Sequence, residues 1–131
     1  MYQIVTGIAP EDPQTEAKVS AITELPAAAE TVAVTIVHVS DSERELRSVP
    51  AVDVAYETLT EHGIDVTLRR STATPLNAVL AVADDLDADC ICIGGRRRSP
   101  AGKNQLRSGS EAVILNTERP VLIAGHTTQS E

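Results

Sequence analysis

The run Thr31-Val-Ala-Val-Thr-Ile-Val-His-Val39 constrains this chain more than any other segment. Its β-branched residues suit a pleated strand, and it is nearly continuous in apolar character. A strand that is apolar on both alternating sets of positions needs cover on both faces, as in the middle of a parallel sheet flanked by helices. The segments around it follow the same logic. Gln3 to Ile8 reads as a first strand, Ile64 to Arg70 as a more exposed, edge-type strand, Cys90 to Ile93 as a fourth and Pro120 to Ala124 as a fifth.

Helical patterns fill the intervals. One starts near Pro13, with Ala17, Ile22 and Leu25 available for a buried face. Pro50 to His62 carries Val52, Ala55, Tyr56 and Leu59 on one stripe, with Gly63 placed to end it. Thr74-Pro75 opens a third helix, Thr74 as N-cap and Pro75 at the first helical position, and Ser108 to Asn116 forms a fourth. Asp41 to Val49, mixed in charge, reads as a mobile surface loop. Strand and helix alternate throughout, which predicts an α/β domain: a parallel sheet with helices on both faces and right-handed crossovers. At 131 residues the chain has the length of one domain with a full core.

Composition narrows the functions. The chain has no Phe and no Trp, so Val, Ile, Leu and Ala build the core. The formal charge of −8 argues against general nucleic-acid binding, which needs a basic face to displace counterions. An acid-rich balance with Lys18 and Lys103 as the lysines suits solubility at high salt. Neither a signal-peptide pattern nor a membrane-length apolar run is present, which predicts a cytoplasmic protein. Cys90 and Cys92 lie two apart on one strand face, too tightly spaced for an ordinary disulfide, and read as buried small hydrophobes. Asp84, Asp85, Asp87 and Asp89 lack the glycine turn of a calcium loop and read as solvated surface; no metal site is assigned. His38, His62 and His126 are scattered, no G-x-S-x-G elbow occurs, and no catalytic residue is assigned.

The strongest charge asymmetry lies between Gly94 and Ser110, where Arg96, Arg97, Arg98, Lys103 and Arg107 occur without a single acid. This loop follows a strand end, where α/β folds place their ligands. Gly102-Lys103 invites comparison with a Walker A loop, but Asn104 follows the lysine and Arg97 stands where the first glycine belongs. Gly94-Gly95 does not continue into a dinucleotide fingerprint. Ser108-x-x-Glu111 has the spacing of a capping box, which explains those two residues without a ligand.

The five-strand layout, the Thr74-Pro75 opening, the phrase Ile93-Gly94-Gly95-Arg96, the segment Ser108-Gly109-Ser110-Glu111 and the closing Arg119-Pro120-Val121-Leu122-Ile123 together resemble the universal stress protein family over residues 3 to 124. The resemblance implies a five-stranded parallel sheet in the order 3-2-1-4-5, a homodimer paired through the last strand and, in many members, bound ATP. Nucleotide-binding members carry G-x-x-G, nine residues, then G-[ST]. Laid on this chain without a gap, that pattern places the glycines at Gly94, Arg97 and Arg107 and the hydroxyl at Ser108. The family's Asp at the end of the first strand falls on Ala9, with Glu11 and Asp12 nearby. Val39 stands where the adenine is flanked.

Glycines in such a loop let backbone N–H groups touch phosphate oxygens, and an arginine obstructs that approach while offering a forked cation of its own. The chain is therefore expected to be a stress-response or regulatory module. It would hold ATP, with Mg²⁺, or another phosphate-bearing ligand through Gly94, Gly95, Arg96, Arg97, Arg107, Ser108 and Ser110, with Ala9 and Val39 beside the nucleoside. Two alternatives stand beside this: a ligand-free homodimeric interaction module using the arginine loop and the last strand, and a slow nucleotide hydrolase.

Overall fold

The computed structural model describes residues 1–10, 12–40, 42–94, 96–98, 104–106 and 108–124, with side chains described outside 95–108. Its elements follow in the order β1 (Tyr2–Gly7), α1 (Thr15–Thr23), α2 (Ala28–Thr31), β2 (Val32–Val39), a 3₁₀ turn (Leu46–Ser48), α3 (Pro50–Glu61), β3 (Asp65–Ser71), α4 (Pro75–Leu86), β4 (Cys90–Gly94), β5 (Arg96–Arg98), β6 (Asn104–Leu106), α5 (Ser108–Asn116) and β7 (Val121–Ala124). The main sheet runs β3-β2-β1-β4-β7, and every pairing in it is parallel. This is the expected order 3-2-1-4-5, counted over the strands of that sheet.

Alternation along each strand divides the core in two. Ile4, Val34, Ile36, Cys90 and Cys92 point to the face covered by α1 and α3, where they meet Val19, Ile22, Val52 and Leu59. Their neighbours Val5, Val37, Ile91 and Ile93 point to the opposite face, onto Val79, Val82 and Ala83 of α4 and Val113 of α5. The continuous apolarity of β2 is thereby explained: both of its faces are covered. Cys90 and Cys92 are free thiols, both buried on one face, as their spacing predicts. β3 sits at one sheet edge and is half-exposed along its length, as its alternation predicts.

Local chemistry sets the ends of the helices. Thr74 Oγ1 accepts from the Asn77 N–H at 3.4 Å, and Pro75 takes the first helical position of α4. After α3 the chain reverses through Gly63 at φ +80°, a left-handed conformation that costs glycine little.

Two expectations are corrected. Between Gly94 and Ser108 the chain forms a short antiparallel hairpin, with Arg96 opposite Leu106, Arg97 opposite Gln105 and Arg98 opposite Asn104. Its sequence has no apolar alternation, and a backbone ladder does not require one. The four aspartates around the end of α4 are exposed, as expected, and each also has a partner: Arg119 reaches Asp84 at 3.1 Å and Asp87 at 3.3 Å, Arg69 reaches Asp85 at 3.2 Å, and Asp89 Oδ2 accepts the Gln3 N–H at 2.8 Å. Those partners are far away in sequence and only folding brings them close. The segment before α3, expected as a mobile loop, contains the 3₁₀ turn, and Arg47 there pairs with Asp53 of α3.

Candidate functional site

β1 lies between β2 and β4, so the chain leaves it to one side and later returns to the other. At such a reversal the connections diverge and leave a crevice beyond the carboxyl ends of the strands. Here it is a cleft of about 370 Å³. Gly7, Ile8 and Ala9 contribute from the end of β1, Val37 and Val39 from β2, and Cys92, Ile93 and Gly94 from β4. Pro75, Leu76 and Val79 of α4 and Gly109, Ser110 and Val113 of α5 form the opposite wall.

Four of the residues singled out from sequence meet in this cleft: Ala9, Val39, Gly94 and Ser110. Ser110 is buried, and its hydroxyl donates to the Gly94 carbonyl, which ties the first turn of α5 to the end of β4. Gly94 is closely covered from the other side. A Cβ there would lie 2.5 Å from Gln14 Cβ and 2.7 Å from Gln14 Cγ, so only glycine lets the entry to α1 close over the strand. Gly95 and Arg107 lie outside the described residues. So do the side chains of Arg96, Arg97 and Ser108, whose backbones belong to β5 and α5.

The cleft also holds a buried ion pair that the sequence did not announce. Lys18 on α1 and Asp12 before it are about nine-tenths buried, with Nζ 2.7 Å from Asp12 Oδ2. Lys18 Nζ also donates to the Gly7 carbonyl at 2.7 Å. Asp12 Oδ1 accepts the Gln14 N–H at 2.8 Å and Oδ2 the Ala9 N–H at 3.2 Å. Burial alone would push the Asp12 carboxyl up; the Lys18 ammonium, with the N–H groups of Gln14 and Ala9, outweighs burial and holds it below the usual carboxylate range. Asp12 thus folds back onto Ala9 and anchors the end of β1 to α1. A lone lysine between Ala17 and Val19, in a helix meant to bury that stripe, was the available signal.

Cys92 also lines the cleft, and burial pushes its thiol up to about 12. It is therefore an apolar wall group, not a thiolate nucleophile. His38 is satisfied locally, its Nδ1 2.8 Å from the Ile8 carbonyl. Among the described residues no cluster of three or more metal-ligating side chains occurs, and no helix is long and apolar enough to cross a membrane.

The apolar walls suit a flat base, and the first turn of α5 offers Gly109 and Ser110 at the cleft, where helix N–H groups have no intrahelical partner. The residues present thus fit a nucleotide: an apolar slot for the base and a helix N-terminus for an anionic group.

The same architecture is found in solved structures. A universal stress protein from Archaeoglobus fulgidus superposes with a TM-score of 0.70 at 24% identity, covering 95% of this chain and 99% of that one. A universal stress protein in complex with cAMP gives 0.71 at 21% identity, covering 93% and 94%. A structure of a universal stress protein from Archaeoglobus fulgidus in complex with dAMP gives 0.66 at 20% identity, covering 95% and 98%. At these identities the likeness is one of fold. No curated protein matches the chain in sequence. The profile of the universal stress protein family, however, matches residues 1–125. That match spans the five parallel strands, the cleft at their carboxyl ends and both helical layers, and by it the chain belongs to the universal stress protein family.

Proposed function

We propose that this protein is a cytoplasmic regulatory module of the stress-response type that binds an adenine nucleotide, ATP with Mg²⁺ in the first instance, in the cleft between β1 and β4. The observation that carries the reading is the convergence of Ala9, Val39, Gly94 and Ser110, from four separate elements, on one apolar cleft at the strand-order reversal. Relatives of the same fold, described as complexes with cAMP and with dAMP, support the choice of ligand class. In this reading Val39 flanks the base, and the phosphates leave toward Gly94, Gly95 and the start of α5 at Ser108 and Ser110. Arg96, Arg97 and Arg107 supply side-chain cations where glycines of the family pattern would supply backbone N–H groups.

Calorimetric titration of ATP, with and without Mg²⁺, is expected to give saturable binding of one nucleotide per chain. Leu76→Asp sets a carboxylate on the apolar wall in the first turn of α4, where the helix dipole tolerates an acid. It is expected to weaken binding about tenfold or more. The Arg97→Gly, Arg107→Gly double variant is expected to weaken binding and flatten its salt dependence. No heat of binding by the wild-type protein would end this reading.

A second reading rests on the sheet edge. Among the described residues β7 pairs only with β4, its Val121, Leu122 and Ile123 are half-buried, and Leu115 on α5 is 77% exposed. An apolar strand with one unpaired edge suits strand-to-strand association of two copies. Light scattering after size exclusion is expected to return a dimer mass, and Ile123→Lys to return a monomer. A monomer at all concentrations and salts removes the homodimer.

A further inference from the structure

Arg47, Arg69 and Arg119 each form ion pairs with aspartate or glutamate. Arg44 and Arg70 form none among the described residues, and these two line the same cavity. It has a volume of about 330 Å³ and lies beyond the end of β2, sharing Pro10 and Val39 with the β1–β4 cleft. Val39 is thus a common wall between an apolar chamber and a cationic one.

The cationic chamber is held in shape by its own hydrogen bonds. The Ser40 N–H donates to the Ser71 carbonyl at 2.9 Å, the Ser42 N–H to Ser40 Oγ at 3.0 Å, and the Arg44 N–H to Ser42 Oγ at 3.2 Å. Arg70 Nη2 donates to the Arg44 carbonyl, which ties the segment after β2 to the end of β3. These bonds use the backbone N–H groups, so an anion here would be held by side-chain cations rather than by a backbone nest. Arg70 gives one of its five N–H donors to the Arg44 carbonyl, and the Arg44 guanidinium makes no hydrogen bond among the described residues. His38, 3% exposed, lines the chamber, with Nδ1 committed to the Ile8 carbonyl. Glu45 lines it as well and pairs with neither arginine.

We propose that Arg44 and Arg70 form a second anion site, across Val39 from the nucleotide cleft, that takes a phosphate group. Two arginines whose guanidinium donors are mostly uncommitted among the described residues match phosphate oxygens in number and geometry, and a fork of N–H donors favours an oxyanion over spherical chloride. The phosphate arrives either as the free ion or as a substituent of a ligand seated in the neighbouring cleft. The site stands on its own cavity and does not depend on the nucleotide reading.

The test is a titration of the whole protein with inorganic phosphate at constant ionic strength, followed by ¹H–¹⁵N NMR at the amides of Ser40, Ser42 and Arg44 and at the arginine Nε–H groups. Saturable shifts are expected there, with none from chloride. Arg44→Gln is expected to weaken the binding about tenfold, the loss of one charge-assisted contact, and Arg44→Lys, which keeps the charge but not the fork, to weaken it less. Arg44 is exposed and off the core, so these variants keep the fold. A second titration with ATP separates the sources. If phosphate still binds when the Val37 and Val79 resonances report a filled cleft, the site takes the free ion. If ATP shifts the Ser40 and Ser42 amides and excludes phosphate, the ligand's own phosphate occupies it. Absence of saturable shifts, or shifts indifferent to Arg44→Gln, overturns the proposal. A cleft that ignores ATP while the Arg44 region still binds phosphate would count against the nucleotide reading alone.

Discussion

Asp12→Ala is expected to destabilise the protein by about 3–5 kcal/mol, against about 1–2 kcal/mol for Lys18→Met. The asymmetry comes from what each change strands. Without Asp12, a buried ammonium keeps only the Gly7 carbonyl, and the Ala9 and Gln14 N–H groups lose their acceptor. Without Lys18, the carboxylate keeps both of those N–H donors, and a methionine fills the volume. Urea unfolding followed by circular dichroism reads both values. Equal losses, or a loss under about 1 kcal/mol for Asp12→Ala, would mean the pair is screened by water like a surface bridge.

The pair also sets an acid limit. Because the folded Asp12 carboxyl titrates below its unfolded value of about 3.9, its contribution is fully present above that pH and is lost as pH falls through the lower, folded value. Part of the acid-side loss of stability in the wild-type protein should therefore be missing from Asp12→Ala.

Gly94→Ala is expected to cost about 1–3 kcal/mol, whereas Gly109→Ala should be neutral or stabilise by up to about 1 kcal/mol. Both glycines line the cleft, but a Cβ on Gly94 meets Gln14 Cβ at 2.5 Å, and one on Gly109 meets nothing within 4 Å. Gln14 Cβ is fixed to the backbone entering α1, so rotamer changes cannot relieve the clash. Gln14→Gly removes the Gln14 side-chain atoms that this Cβ would meet, at a cap position that accepts glycine, and is expected to restore most of the stability of Gly94→Ala. Thermal unfolding of the two single variants and the rescued double variant decides this. A double variant no more stable than Gly94→Ala would locate the strain elsewhere.

The main sheet was legible because its signals are local. β2 is apolar on both faces, β3 alternates, and Thr74-Pro75 and Gly63 mark helix boundaries with residues whose conformational preferences act within one turn. The β5–β6 hairpin left no such signal, because backbone pairing there is independent of apolar pattern. In the cleft, Val39, Gly94 and Ser110 were reached through the order of elements and a resemblance in their motifs. Leu76, Val79 and Val113 looked like ordinary core positions, and only the packing of α4 and α5 over the strand ends makes them walls.

The family resemblance implied the strand-order reversal beside β1, while the patterning of the sequence by itself determined a parallel sheet with two helical layers and a burial scheme in which alternate residues of one strand serve opposite cores. Those follow from periodicity and chain direction, which each segment carries alone. Tertiary structure alone decided that Asp12 and Lys18 would share a buried bond, that Arg119 would answer the aspartates of α4, and that Arg44 and Arg70 would meet behind Val39. Charge pairing depends on distance in space, and distance in space is set by how the layers close rather than by any spacing along the chain.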